Sequence, residues 1–155
     1  MDTDEDWMRE ALAEAGAAAS AGEVPVGALV VSDGVILARG RNAVETLGDP
    51  TAHAEMLAIR AACAALPGHG LRAARRLAGC VLVVTLEPCP MCLGAALHAR
   101  IDRIVFAASE PKFGACGSVV DLRAPPGFNH ALTATGGVLA DESAALLKAF
   151  FRARR

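Results

Sequence analysis

Two short stretches of the chain carry side chains that could bind a metal ion. The first contains His53 and, two residues later, Glu55. The second contains two thiols, Cys89 and Cys92, whose spacing of three residues places them on the same face of a helical turn. One imidazole and two thiols make three zinc ligands, one fewer than a closed structural site uses. These residues therefore predict a zinc ion with an open fourth position.

The open position determines the chemistry that such a site could perform. A zinc ion lowers the pKa of a bound water to about 7, which makes a nucleophile available at neutral pH. Cys89 and Cys92 would bind as thiolates, a form that the partial positive charge of a helix N-terminus favours. Glu55 projects from a different side of its helix than His53 does, which suits a group that moves the water's protons. An H-x-E stretch combined with P-C-x-x-C is typical of zinc deaminases, so the pattern predicts hydrolytic deamination.

The C-x-x-C pair also has two interpretations without this chemistry. A redox pair normally accompanies a thioredoxin-like order of elements, which this sequence lacks. A non-enzymatic zinc module would need a fourth ligand, and no other Cys or His lies at a typical spacing from the first three. We expect buried packing for two cysteines, a structural role for a third and a packed or surface position for one histidine. The residues concerned are Cys63 and Cys80, Cys116, and His98, with His69 and His130 as the remaining histidines.

Length and composition limit the class of protein. At 155 residues the chain is expected to form one domain, residues 1–155, with a sizeable core. Hydrophobic residues make up 54% of it, but no apolar run approaches the ~20 residues that cross a bilayer, so no membrane partner is expected. The N-terminus is acidic where a secretory signal would be basic. Five cysteines, an odd number, fit a reducing cytoplasm better than a disulfide framework.

The net charge of −2 gives no general indication of nucleic-acid binding. Two clusters of arginines could nevertheless contact phosphates, although a short charge run is more often solvated surface. These clusters are Arg72, Arg75 and Arg76 in mid-chain and Arg152, Arg154 and Arg155 at the end.

Hydrophobic periodicity predicts the elements that must position the metal-binding residues. Helices are predicted at Asp4–Ala21, His53–Leu66, Pro90–Ala99 and Asp141–Arg154, the last with Asp141 as its N-cap. Strands are predicted at Val26–Val31, Val35–Ala38, Cys80–Leu86, Arg103–Ala107 and Thr135–Leu139. A loop over Gly40–Asp49 and a turn, with a possible helical stretch, over Gly114–Leu122 complete the pattern.

This order of elements predicts a three-layer α/β/α sandwich with a mixed five-stranded sheet. The strands at Val26–Val31, Cys80–Leu86 and Arg103–Ala107 are expected to lie mostly parallel. Both metal-binding segments would then open at one edge of the sheet. Asn42, in the loop before the second helix, could hydrogen-bond a base edge or equally hold a turn, and the sequence leaves both roles open.

Seven stretches, in order and from about Trp7 to Arg155, resemble those of the bacterial tRNA-specific adenosine deaminase family. The zinc motif itself is shared with guanine, cytosine and nucleotide deaminases, whereas the later stretches favour the tRNA branch. The stretches are Glu23–Ala28, Asp49–Glu55, Val84–Cys89, Lys112–Ala115, Gly117–Ser118, Asn129–His130 and Phe150–Arg152. The sequence departs from the family pattern at Phe113, where a smaller or more polar residue is common, and at Ala131, where arginine is expected.

The resemblance implies a cytidine deaminase-like fold and conversion of adenosine to inosine at wobble position 34 of a tRNA anticodon. It implies a cytoplasmic homodimer with one Zn²⁺ per subunit, held by His53, Cys89 and Cys92, with Glu55 shuttling protons. Asn42 would contact the flipped base or its ribose, and the remaining substrate contacts would be Val26, Ala54, Leu86, Lys112, Phe150, Phe151 and Arg152. The alternative is a deaminase of a free base or nucleotide, in which Phe150 and Phe151 would be ordinary helix core.

Overall fold

The computed structural model describes residues 3–68 and 77–155. Its helices are α1 (Asp4–Ser20), α2 (Val44–Leu47), α3 (Ala54–Ala65), α4 (Pro90–His98) and α5 (Ala140–Arg152). Its strands are β1 (Gly27–Ser32), β2 (Val35–Arg41), β3 (Val81–Leu86), β4 (Arg103–Ala108) and β5 (Thr133–Thr135). The mid-chain arginine cluster and His69 lie outside the described residues. Within the described part, no helix is both long and apolar enough to span a bilayer.

The strands form one sheet in the order β2-β1-β3-β4-β5. Because successive side chains of a strand point to opposite faces, the apolar central strands supply two cores. Leu29, Val83 and Val105 pack on one face against α1, and α5 lies beside α1 over β3 and β4. Val30 and Val84 pack on the opposite face against α3 and α4. This arrangement confirms the predicted three-layer sandwich with a mixed five-stranded sheet.

Two glycines let helices lie directly on the sheet. A Cβ atom on Gly27 of β1 would lie 2.1 Å from the carbonyl oxygen of Ala11 in α1. A Cβ atom on Gly40 of β2 would lie 2.4 Å from the carbonyl oxygen of Ala54 in α3. Side-chain carbon atoms do not approach backbone atoms this closely, so the depth at which α3 sits depends on Gly40.

The predicted direction of the first strand was wrong. β1 runs antiparallel to both of its neighbours, β2 and β3, whereas β3, β4 and β5 are parallel to one another. The reason is the hairpin that precedes α3. The crossover through α3 starts from β2 and not from β1, so it makes β3 parallel to β2, and β1 lies between them with the opposite direction.

Four smaller predictions also differ from the structure. The predicted loop at Gly40–Asp49 contains the end of β2 and the short helix α2. The last strand is Thr133–Thr135 rather than Thr135–Leu139, because regular pairing with β4 ends there, although the N–H groups of Gly137 and Val138 still donate to the carbonyls of Ala107 and Phe106. Leu139, with φ of 55°, and not Asp141, is the N-cap of α5. Gly114–Leu122 forms turns with a bridge between Cys116 and Asp121, and no helix.

Candidate active site

His53 and Cys89 occupy the N-cap positions of α3 and α4. The preceding strands, β2 and β3, both run antiparallel to β1 between them, so the two helices begin at the same end of the sheet. Pro90 follows Cys89 at the start of α4, where its missing N–H costs no hydrogen bond. Cys92 lies within the first turn of α4 and is fully buried. The fold thus brings together two stretches that are separated by 36 residues.

The spacing of the three ligand atoms matches a zinc site. His53 Nδ1 lies 3.7 Å from Cys89 Sγ and 3.5 Å from Cys92 Sγ. Tetrahedral zinc with bonds of about 2.1 Å to nitrogen and 2.3 Å to sulfur separates such atoms by ~3.6 Å. Within residues 3–68 and 77–155, no fourth His, Cys, Asp or Glu joins this set. The donor set fits zinc with one position left for a non-protein ligand.

The three ligand side chains differ in how readily they lose a proton. A hydrogen bond from Cys92, and a second from His53, lowers the pKa of Cys89 to about 4. The same hydrogen bond with Cys89, together with burial, raises the pKa of Cys92. The hydrogen bond with Cys89 also raises the pKa of His53. Negative charge is therefore concentrated at Cys89 at neutral pH, where a divalent cation would neutralise it.

Glu55 lies beside the three ligands in the first turn of α3 and is only 4% exposed. Burial raises the pKa of Glu55 to about 7, and the charge of Cys89 acts in the same direction. The carboxylate also accepts a hydrogen bond from the Cys92 thiol. A carboxyl group with a pKa near 7 can both accept and release a proton at neutral pH, which is what proton transfer requires.

A cavity of about 820 Å³ is lined by His53, Glu55 and Cys89. Its volume falls within the range of roughly 300–1,000 Å³ that is typical of small-molecule sites. Four predicted substrate contacts, Asn42, Val26, Ala54 and Leu86, also line it. The side-chain nitrogen of Asn42 donates a 3.4 Å hydrogen bond to the carbonyl of Val24, which orients its carboxamide at the cavity wall.

The four residues predicted to contact RNA do not all line the cavity. Phe150 is buried and lines the cavity. Phe151 is 49% exposed and packs edge-on against Phe150, with the ring centroids 5.3 Å apart. Lys112 and Arg152 are exposed, and neither they nor Phe151 belong to the cavity lining. Phe150 alone of these four therefore faces the cavity, and the other three lie on the surface around it.

Two residues of the lining modify the rim of the cavity. Phe113, which departs from the family pattern, is 65% exposed at the rim. Because it lines the cavity, it would lie next to a bound ligand. The Arg154 guanidinium lies 3.5 Å from the centroid of the Phe150 ring and donates to the Phe150 carbonyl. The sequence alone placed Arg154 in a terminal charge cluster, whereas the structure places it in the cavity wall, four residues after Phe150. Ala131, the other departure, is exposed near β5 and lies away from the lining.

Glu23 and Glu87 are buried carboxylates in the lining that sequence reasoning did not identify. Burial alone would raise the pKa of Glu23, but hydrogen bonds from Thr46 and Glu45 outweigh it and hold that pKa below its usual value. Burial of Glu87 is likewise outweighed by hydrogen bonds from Ser118 and from backbone N–H groups, so its pKa is also lowered. The signal for Glu87 is its place two residues before Cys89.

The other cysteines and histidines of the described part of the chain stay outside the metal-binding set. All five cysteines are free thiols. Cys80 is buried and Cys63 is half-buried, while burial raises the pKa of the half-buried Cys116 to about 12. His98 is exposed, and His130 Nε2 lies 2.8 Å from the Ile101 carbonyl oxygen. The described residues therefore offer no support for the closed structural zinc site.

The sequence matches known proteins over its whole length. Residues 1–108 match the family model described as the cytidine and deoxycytidylate deaminase zinc-binding region. The tRNA-specific adenosine deaminase of Bacillus subtilis is 46% identical over 155 residues, which covers 100% of this chain and 92% of that protein.

Two solved structures are similar to this one. A structure from a study of A-to-I editing at the wobble position of transfer RNA shares 43% identity and a TM-score of 0.83, covering 92% of this chain and 99% of that chain. A guanine deaminase from Nitrosomonas europaea shares 31% identity and a TM-score of 0.78, covering 97% of this chain and 85% of that chain. Both similarities extend well beyond the zinc motif.

Proposed function

This chain belongs to the tRNA-specific adenosine deaminase family, and we propose that it converts adenosine to inosine at the wobble position of a tRNA anticodon. In this reaction a water oxygen bonds to C6 of adenine, the bond from C6 to the exocyclic nitrogen breaks, and ammonia leaves. The observation that carries the proposal is the convergence of His53, Cys89 and Cys92 with the buried Glu55 at one cavity wall. Similarity to tRNA-specific deaminases over the full chain supports the choice of substrate.

The donor set fits zinc, and we assign His53, Cys89 and Cys92 as its ligands. When bound, zinc would supply an activated water as the nucleophile at neutral pH. The protein's own contribution is to place an imidazole and two thiols in the first turns of α3 and α4, where partial positive charge favours the thiolate form of Cys89.

We assign Glu55 as the proton-transfer group. Its carboxylate would take one proton from the attacking water and deliver it to the ring nitrogen N1. It would then take the second proton from the hydroxyl group now on C6 and deliver it to the amine, which leaves as ammonia while the C6 carbonyl forms. Its low exposure and its pKa of about 7 support this role, because both directions of transfer are then close to balanced. Its position beside the ligand set, without membership of it, supports the same assignment.

Residues of the cavity wall would recognise the base. The carboxamide of Asn42 can hydrogen-bond the base or its ribose, and Val26, Ala54 and Leu86 provide apolar surface against the ring. A base in an anticodon loop can be splayed out of the stack into such a cavity. Phe150 would then contact the flipped nucleotide.

The flanking nucleotides would meet the surface around the cavity. Phe151 offers an aromatic face for stacking, and Lys112 and Arg152 offer charges for phosphates. These three residues are exposed, which such contacts require. We propose that they bind the anticodon stem-loop outside the cavity.

We further propose that the protein acts as a cytoplasmic homodimer with a single domain over residues 1–155. Exposed apolar side chains at Phe113, Val119 and Val120 support an interface near the cavity, because such groups favour burial against a partner. Five free thiols fit a reducing compartment. Light scattering on the purified, zinc-loaded protein would measure the subunit number.

The zinc-loaded protein should be incubated with an anticodon stem-loop that carries adenosine at the wobble position, and separately with free bases, nucleosides and nucleotides. Inosine formed at the wobble position and not from the free compounds supports the proposal. Ammonia released from guanine would contradict it and favour the alternative that the Nitrosomonas similarity raises. A lack of turnover by protein that holds one zinc per chain would contradict both.

A further inference from the structure

Glu87 joins the metal-binding helix to a separate segment of the cavity rim. Its chain position is two residues before Cys89, the N-cap of α4. Its side chain accepts hydrogen bonds from the segment that comprises residues 110–118, which we call the rim segment. Glu110 and Phe113 of the rim segment line the same cavity as Glu55.

Four donors from the rim segment converge on this one carboxylate. Oε1 accepts from the N–H of Glu110 at 3.0 Å and from the Ser118 hydroxyl. Oε2 accepts from the N–H of Cys116 at 2.9 Å and from the N–H of Ser118 at 3.2 Å. The N–H groups of Gly114 and Gly117 pair with backbone carbonyls of the same turns, whereas those of Glu110, Cys116 and Ser118 donate to the carboxylate. The carboxylate therefore takes the place of a backbone partner for these three groups.

The packing around Gly114 shows how closely the rim segment surrounds Glu87. A Cβ on Gly114 would lie 2.5 Å from the Glu87 carboxyl carbon and 2.6 Å from Oε1. The N–H of Ala115 also donates to the Pro88 carbonyl at 2.8 Å, which adds one direct backbone link. No described Lys or Arg pairs with Glu87, so N–H and O–H dipoles stabilise its charge.

We propose that Glu87 is a positioning residue that fixes the rim segment as one wall of the substrate site. Its oxygens accept from the rim segment, and it lies outside the metal-ligand set. It acts through Glu110 and Phe113, which it holds in the cavity lining that also contains Glu55. This inference rests on the proposed function for the identity of the substrate, and on the hydrogen bonds alone for the positioning.

A graded pair of substitutions tests the positioning. Glu87→Met keeps the length of the side chain and removes every acceptor. Glu87→Gln keeps one oxygen as the acceptor for the N–H groups of Cys116 and Ser118. Its amide nitrogen can donate to the Ser118 hydroxyl, which can rotate to accept. Only the N–H of Glu110 then loses its partner. Hydrogen exchange of the zinc-loaded proteins should therefore accelerate by about tenfold or more at residues 110, 116 and 118 in the Met variant, and mainly at 110 in the Gln variant.

The same proteins test the consequence for substrate. We expect the KM for the anticodon stem-loop to rise about tenfold in Glu87→Met and less in Glu87→Gln, with kcat per bound zinc within about threefold of wild type. Gly114→Ala should raise KM in the same way while it keeps the carboxylate, and it replaces the Met variant if that protein does not fold. Gly16→Ala, which adds a Cβ with nothing within 4 Å, is the matched control and should leave KM unchanged.

Each result decides one question. Unchanged exchange at residues 110, 116 and 118 would overturn the positioning role, whatever the substrate is. A fall in kcat in step with lost zinc, with KM unchanged, would also overturn it, because Glu87 would then serve the metal. If wild type acts on a free base instead of RNA, the proposed function fails while the exchange measurement still tests Glu87.

Discussion

Gly40→Ala tests whether the depth of α3 on the sheet sets the activity. The added Cβ would lie 2.4 Å from the Ala54 carbonyl oxygen and 2.6 Å from the Ala58 nitrogen, whereas ordinary contact begins at 3.4 Å. The shortest overlap is 3.4 minus 2.4, or 1.0 Å, and both atoms belong to the backbone of α3. We therefore expect the helix to move outward by about 1 Å, because pairing with β1 along its length holds β2 in the sheet.

The consequence for catalysis follows from what α3 carries. His53 is its N-cap and Glu55 lies in its first turn, so both would move with the helix relative to Cys89. A misplacement of about 1 Å can cost on the order of 10²-fold in rate. Overpacking of this kind also costs roughly 1–3 kcal/mol of unfolding free energy. We expect Gly40→Ala to lose about 10²-fold in kcat/KM per bound zinc and to be modestly destabilised.

Gly27→Ala is the matched control. Its Cβ would overlap the backbone of α1, 2.1 Å from the Ala11 carbonyl oxygen, but α1 supplies no ligand or proton-transfer group. The unfolding free energies of both variants come from urea titration, and activities are measured on zinc-loaded, folded protein. Equal activity of the two variants, at similar losses of stability, would refute the argument that the position of α3 limits the reaction.

Three further predictions concern the site and its support. Glu55→Gln should retain one zinc per chain by metal analysis while turnover falls by about 10²–10⁴-fold, and loss of zinc in this variant would show that Glu55 is a ligand. Removal of zinc with a chelator should abolish deamination and lower the melting temperature, and added zinc should restore both, since a ligand that binds the folded state stabilises it. Against the effect of burial, hydrogen bonds from Thr46 and Glu45 hold the pKa of Glu23 below its usual value. Glu23 therefore stabilises the folded protein fully above pH ~4.5, and this stabilisation is lost as pH falls through the lowered pKa. Glu23→Gln should therefore flatten the dependence of unfolding free energy on pH below ~4.5, and an unchanged slope would contradict this account.

The metal-binding residues could be predicted from the sequence because their spacing is local. Cys89 and Cys92 lie within one helical turn, and His53 and Glu55 lie within another, so residue types and short-range geometry were sufficient. The sandwich followed in the same way from alternating strand and helix patterns. Such patterns record which face of an element is apolar, and that is enough to assign layers.

The tertiary structure decided what depends on long-range pairing. The antiparallel direction of β1 follows from which strand begins the crossover, a fact that hydrophobic periodicity does not contain. The four donors that converge on Glu87 lie 23–31 positions from it in the sequence. The depth of α3 on the sheet depends on a backbone contact at Gly40. A single sequence specifies its local chemistry through neighbouring residues, whereas close approach between distant backbones exists only once the elements have packed.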